Sequence, residues 1–174
     1  MQRDAEPFPG SPHSVADEVR HTEDELVDVV MTASRALLAV AARSLAAVDE
    51  DVTLPQYRAL VVLAQRGAQR PADLAAALTV TPSTATRMCD RLVGKDLVVR
   101  DRSHDDRREV TVSLSTAGQD LVRDVTVRRR AELRTLLAAM PEERRTDVVE
   151  GLRSFSEAAG EPSEPDWAIG GARP

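Results

Sequence analysis

The sequence predicts a mainly α-helical fold with a small β-wing of two to three strands, flanked by long helices at both ends. Three observations predict it. Apolar residues recur at three- and four-residue steps through most of the chain, the period of one buried helix face. Pro and Gly fall between the periodic segments, at Pro55, Gly67, Pro71, Pro82 and Gly94, where helices start and stop. Two apolar runs, LVV at 97–99 and VTVSL at 110–114, bracket DRSHDDRREV at 101–110, in which seven of ten residues are charged. That is the pattern of a hairpin with a polar tip.

The elements follow in order. Residues 1–14 are polar and Pro-rich and are expected to form a disordered tail. Residues 15–52 are expected to form an N-terminal dimerisation helix. Its apolar stripe, Leu26, Val30, Ala33, Leu37, Val40 and Val48, runs from about 22 to 48 and spans ~40 Å at 1.5 Å per residue. Such a helix is stable mainly when its stripe is covered, in the same chain or in a partner. Residues 53–114 form a lobe of their own. A second helix starts near Leu54, with Pro55 suited to the first helical position, and ends at Gly67. Pro71 opens a third, PADLAAAL. Thr81 caps a fourth, with Pro82 first in the helix and Ala85, Met88, Cys89, Leu92 and Val93 on its apolar face. Strands are expected at about 97–101 and 109–114. Residues 115–159 hold two C-terminal dimerisation helices. The first is capped by Ser115 and runs to about 139. The second opens at Pro141-Glu142-Glu143, with acids where the helix dipole favours them. Residues 160–174 are Gly/Pro-rich and expected to be a flexible tail. Helix, helix, turn, helix, strand, charged loop, strand is the order of a winged helix-turn-helix.

The net charge of −6 argues against a polyanion partner until it is divided along the chain. Residues 1–51 carry 4 Arg against 11 acids, and residues 109–174 carry 9 basic residues against 12 acids. Residues 52–108 carry 10 Lys/Arg against 6 acids and are the only basic part. A local basic surface governs phosphate contact more than the global charge does. No apolar run approaches the ~18 residues of a membrane helix. The first residues, MQRDAEPFPGSPHS, lack the apolar core of a secretory signal. One cysteine, Cys89, excludes an intrachain disulfide framework. The expectation is a cytoplasmic protein with no membrane partner.

The fourth helix and the hairpin carry the chemistry. With its apolar face turned inward, the helix turns Ser83, Thr84, Thr86, Arg87 and Arg91 outward or toward its N-terminal turns. Short hydroxyls allow close approach to a major groove and bond phosphates or base edges. Arg87 has the reach and the planar fork to read guanine. In the hairpin, a narrow minor groove attracts a single Arg. Arg108 is the favoured inserting residue, Asp106 holds its side chain extended beforehand, and Arg107 contacts phosphate or substitutes for Arg108. The plainer alternatives are ordinary first-turn residues with a solvated Arg87, and an exposed, salt-bridged hairpin of little energetic value.

TLPQYRALVVLA at 53–64, PADLAAALTVTPSTATRMCDRLVGKDLVVRDRS at 71–103 and DDRREVTVSLSTAG at 105–118 together resemble the MarR family of bacterial transcriptional regulators. The resemblance covers roughly residues 22–158. PSTATR, DRL followed by LVVR, DDRR and SLSTAG are its most specific parts. It implies a triangular homodimer built on the N-terminal and last two helices. It also implies double-stranded DNA as partner, usually as repressor of a pseudo-palindromic operator, often with release by a small-molecule effector. It places Ser83, Thr84, Thr86 and Arg87 in the major groove, and Asp106 and Arg108 in the wing. Thr79 departs from the family, where Gly or another small turn residue is common.

No enzyme is expected. The sequence has no HExxH, phosphate-cradling Gly loop or Cys/His ligand pair, so no cofactor, metal or catalytic residue is assigned. Cys89, on the inner face of the fourth helix, reads as a buried, inert thiol. Arg35, Arg43 and Tyr57 are weak candidates for an effector pocket. The rival function is a protein-interaction dimer with a degenerate winged helix; Arg87 and Arg108, which folding does not need, argue against it.

Overall fold

A computed structural model describes residues 12–102 and 110–161. It contains six α-helices and one hairpin: α1 (Pro12–Ala46), α2 (Leu54–Arg66), α3 (Pro71–Leu78), α4 (Pro82–Val93), β1 (Val98–Arg102), β2 (Val110–Leu114), α5 (Thr116–Ala138) and α6 (Arg145–Ala158). The chain divides into two compact units, one ending at Ala39 and the other beginning at Val40. In the first, Leu26, Val27, Val29, Met31 and Leu38 are each more than half exposed.

The second unit holds the core. Leu60, Leu74, Leu92, Val98, Val112 and Val122 are fully buried and come one each from α2, α3, α4, β1, β2 and α5. Each such side chain contributes roughly 1.5–3 kcal/mol by leaving water. The last turns of α1 add Val40 and Leu45 to this unit. The strands pair antiparallel in the register Val98↔Leu114, Arg100↔Val112 and Arg102↔Val110. Gln69, between α2 and α3, adds a single-residue third strand. Its N–H donates to Val112 O at 2.9 Å and its carbonyl accepts from Val112 N at 2.7 Å.

Local chemistry sets the ends of the elements. Thr53 and Gln56 form a reciprocal capping box at α2: Gln56 N donates to Thr53 Oγ1 at 3.4 Å, and Thr53 N to Gln56 Oε1 at 2.9 Å. With Thr53 as the cap, Pro55 takes the second helical position, not the first. The turn between α3 and α4 closes through Val80 N–H to Ala75 O (3.0 Å) and Thr79 N–H to Ala76 O (3.2 Å). This closure requires a left-handed residue, and Thr79 supplies it at φ 54° and ψ 44°. The departure at Thr79 therefore keeps the turn geometry at a steric cost. After α4 the left-handed residue is Asp96 (φ 57°), while Gly94 stays right-handed. Ser115 ties α5 to the start of the hairpin. Its N–H donates to Leu97 O at 3.1 Å, and its hydroxyl donates to Asp96 O and accepts from Gly118 N at 3.0 Å. Gly118 lies so close that a Cβ would stand 2.1 Å from Leu97 O.

Two further expectations change. The first helix begins at Pro12, ten residues before the apolar stripe and inside the segment expected to be a disordered tail. PHSVADEVRH has no Gly or interior Pro, so the helix propensity of this polar stretch lets the helix extend through it. The last helix does not open directly at Pro141: Glu142–Arg144 forms a 3-10 turn first, and α6 starts at Arg145. Beyond α6, Arg58 holds Glu161 by two bonds of 2.6 Å, which lowers the Glu161 carboxyl from its usual range. This contribution is present at neutral pH and is lost as acid protonates the carboxylate; it is small because both groups are substantially exposed.

Gly118→Ala should lower stability by about 2 kcal/mol or more, because backbone must move to admit the methyl. Thr79→Gly should raise it by up to about 1 kcal/mol by removing left-handed strain. Thermal melts of the two variants should shift in opposite directions.

Candidate nucleic-acid interface

The burial pattern of α4 fixes which way it faces. Ala85, Cys89 and Leu92 are fully buried, and Met88 and Val93 pack partly against the same core. Ser83, Thr86, Arg87 and Arg91 are exposed on the other side, and Thr84 is half-buried. The hydroxyls are not equivalent. Thr81 Oγ1 accepts from Thr84 N at 3.3 Å and lies 3.1 Å from Ser83 Oγ and 2.9 Å from Thr84 Oγ1. Thr86 donates back to Pro82 O at 2.9 Å. These bonds close the first turn and hold each hydroxyl in one rotamer, with oxygen lone pairs left to accept. Arg87 and Arg91 have no hydrogen-bond or ion-pair partner among the described residues.

One contact was not legible in the sequence. Arg100, on β1, donates through Nη2 to Asp90 Oδ1 of α4 at 2.5 Å, so the hairpin is braced against the exposed side of the helix. The ten-residue separation and the irregular turn between them left no periodic signal. Asp106, Arg107 and Arg108 lie outside the described residues; the paired strands end at Arg102 and Val110, on either side of them.

The weak effector candidates have separate local roles. Arg35 donates to Thr32 Oγ1 at 3.1 Å. Arg43 pairs with Glu132 on α5. Tyr57 is buried, with its hydroxyl 3.5 Å from Thr126 Oγ1. An open cleft of about 370 Å³ between α2, β2 and α5 is lined instead by residues including Leu63, Gly67, Leu114, Gln119 and Arg123. Arg123 there is paired with Asp120 at 2.7 Å and Asp124 at 3.5 Å. Among the described residues no group of three or more His, Cys, Asp or Glu is placed to hold a metal. None of their helices is long and apolar enough to cross a membrane.

A lobe of three helices and a hairpin, with an outward cationic stripe on the third helix, matches known proteins. The MarR family model matches residues 52–110, which run from the approach to α2 to the first residue of β2. The HTH-type transcriptional regulator YfiV of Bacillus subtilis (strain 168) is 30% identical over 108 residues, covering 62% of this chain and 68% of that one. The chain belongs to the MarR family. It is similar too to the HTH-type transcriptional repressor MdtR of the same organism, 29% identical over 110 residues (63% and 71% of the two chains). Among solved structures, RV1404 from Mycobacterium tuberculosis is 43% identical with a TM-score of 0.77, covering 82% of this chain and 97% of that one. As a MarR-family transcriptional regulator the protein carries a DNA-binding winged helix, formed by α2 to β2. Its relatives are regulators, not enzymes.

Burial pushes the Cys89 thiol up from its ordinary pKa, partly opposed by the nearby Arg100 charge. The thiol therefore stays protonated at neutral pH and out of reach of reagents. Alkylation by iodoacetamide should be negligible in the folded protein and rapid in denaturant, and Cys89→Ser should leave the response of DNA binding to peroxide the same as in the unaltered protein. Loss of oxidant-dependent release in Cys89→Ser would instead make Cys89 the switch.

Proposed function

We propose that this MarR-family regulator is a homodimeric repressor of a pseudo-palindromic operator, released by a small-molecule effector. The observation that carries DNA reading is Arg87 on the outward stripe of α4, without a partner among the described residues and beside hydroxyls held by local hydrogen bonds. Ser83, Thr84 and Thr86 would meet phosphate or base edges near the helix N-terminus, where the dipole favours anions. Arg87 would read a base, and Arg91 would reach the backbone. Arg108 would enter the minor groove, prepared by Asp106, with Arg107 on phosphate. Repression is supported by likeness to MdtR, which is named a repressor.

Dimerisation is supported by the apolar side chains left in water. On α1 these are Leu26, Val27, Val29, Met31 and Leu38; on the C-terminal helices they are Leu136, Leu137, Val149, Leu152 and Phe155. So many exposed large apolar residues on helices call for a cover. Light scattering at micromolar concentration should give twice the chain mass of 18.9 kDa. A monomer there contradicts the dimer.

The DNA contacts are tested by titrating a duplex selected from a random pool, and a scrambled duplex, at several salt concentrations. Arg87→Ala should cost roughly 1–3 kcal/mol on the selected duplex and much less on the scrambled one. Arg108→Ala should weaken both and flatten the salt dependence by about one unit of slope. Thr86→Val should cost less than Arg87→Ala, because its hydroxyl is already committed to Pro82 O. Normal binding by Arg87→Ala would remove Arg87 from base reading, and failure of the unaltered protein to bind any duplex would transfer it to the interaction-dimer reading.

A further inference from the structure

Arg87 and Asp90 stand three residues apart on one helix, the spacing at which opposite charges meet. Elsewhere this chain makes that pair. Arg70 and Asp73 meet at 2.8 Å, Asp120 and Arg123 at 2.7 Å, and Arg144 and Asp147 at 3.5 Å. The Asp120–Arg123 pair lies within a helix, in the reverse order; in the two pairs with the same order, Arg followed by Asp, the Arg is the helix N-cap. At Arg87 and Asp90 the pair is absent, and Asp90 is paired instead with Arg100 from the hairpin at 2.5 Å. Both Asp90 and Arg87 are exposed, so packing does not hold them apart.

We propose that Arg100 is a positioning residue: by occupying Asp90 from β1, it keeps the Arg87 guanidinium free to reach DNA. The inference rests on the reading of α4 as the DNA-contacting helix. Without Arg100 two things follow. Asp90 captures Arg87 along the helix, and an uncompensated carboxylate faces the phosphates beside the groove. Arg100 thus acts on recognition through Asp90, without a base contact of its own. The hairpin contributes to base reading through its strand as well as its tip.

The experiment uses the full chain with Arg100→Gln, Asp90→Asn and the double variant. In the DNA-free protein, 15N relaxation and solvent exchange of the Arg87 Nε–H report whether its guanidinium is held. It should be mobile in the unaltered protein, restrained in Arg100→Gln, and mobile again in the double variant and in Asp90→Asn. On a duplex selected from a random pool by the unaltered protein, Arg100→Gln should bind roughly threefold to tenfold more weakly, with a smaller loss on a scrambled duplex. Adding Asp90→Asn should restore the preference. A misfolded hairpin would not be rescued by Asp90→Asn, so rescue separates the proposal from a structural defect. An Arg87 equally mobile in Arg100→Gln overturns it. So does an equal loss on both duplexes that Asp90→Asn leaves in place, which would make Arg100 a phosphate contact. If the unaltered protein selects no duplex, the DNA reading fails, while the Arg87 mobilities still decide the pairing.

Discussion

The buried stripe of α4 is the constraint on which the rest of the structure depends. Ala85, Cys89 and Leu92 are sealed into a core made by every other element of the lobe, and this allows α4 only one rotation about its axis. Turning the helix by one residue would expose Leu92 and bury a charged neighbour, at a cost of several kcal/mol. Close packing therefore decides that Arg87 and Arg91 face outward. The turn before α4 depends on the same constraint: Thr79 is held left-handed because the α3–α4 angle must bring Leu74 and Leu92 into one core.

A second junction sets the hairpin. Leu97 O receives the Ser115 N–H and leaves no room for a Cβ at Gly118, so β1, β2 and the first turn of α5 form one rigid corner. That corner explains why SLSTAG reads so specifically: position 115 uses a hydroxyl that both donates and accepts, and position 118 leaves no room for a Cβ. From this corner the strands run out past α4, and Arg100 lands against Asp90. The globally acidic charge is no obstacle, because Asp90 is neutralised within the lobe that carries the cationic stripe.

Much of this was legible in the sequence, for identifiable reasons. Helices α2 to α5 carry their own start and stop chemistry in Pro55, Gly67, Pro71, Thr81 and Ser115, and their bounds could be placed within a residue or two. The start of α1 was not legible, because the apolar periodicity of the sequence begins only near residue 22, after the helix has started. The 3-10 turn after Pro141 was missed because it shares the acidic Pro-Glu-Glu signature of an α-helix start. In the candidate site, the outward stripe followed from periodicity alone. What sequence could not separate was Thr84 from Thr86, whose hydroxyls differ only through their local bonds. Nor could it show the Arg100–Asp90 brace, which depends on where a strand passes a helix.

The central claim is that the exposed face of α4 meets DNA. Its most direct test is an NMR titration of the labelled protein with a duplex selected from a random pool. The account predicts that the largest shifts fall on the backbone of residues 81–87 and on the Arg87 side chain, with further shifts in the hairpin. Shifts confined to α1 and α6, with α4 unchanged, would contradict it.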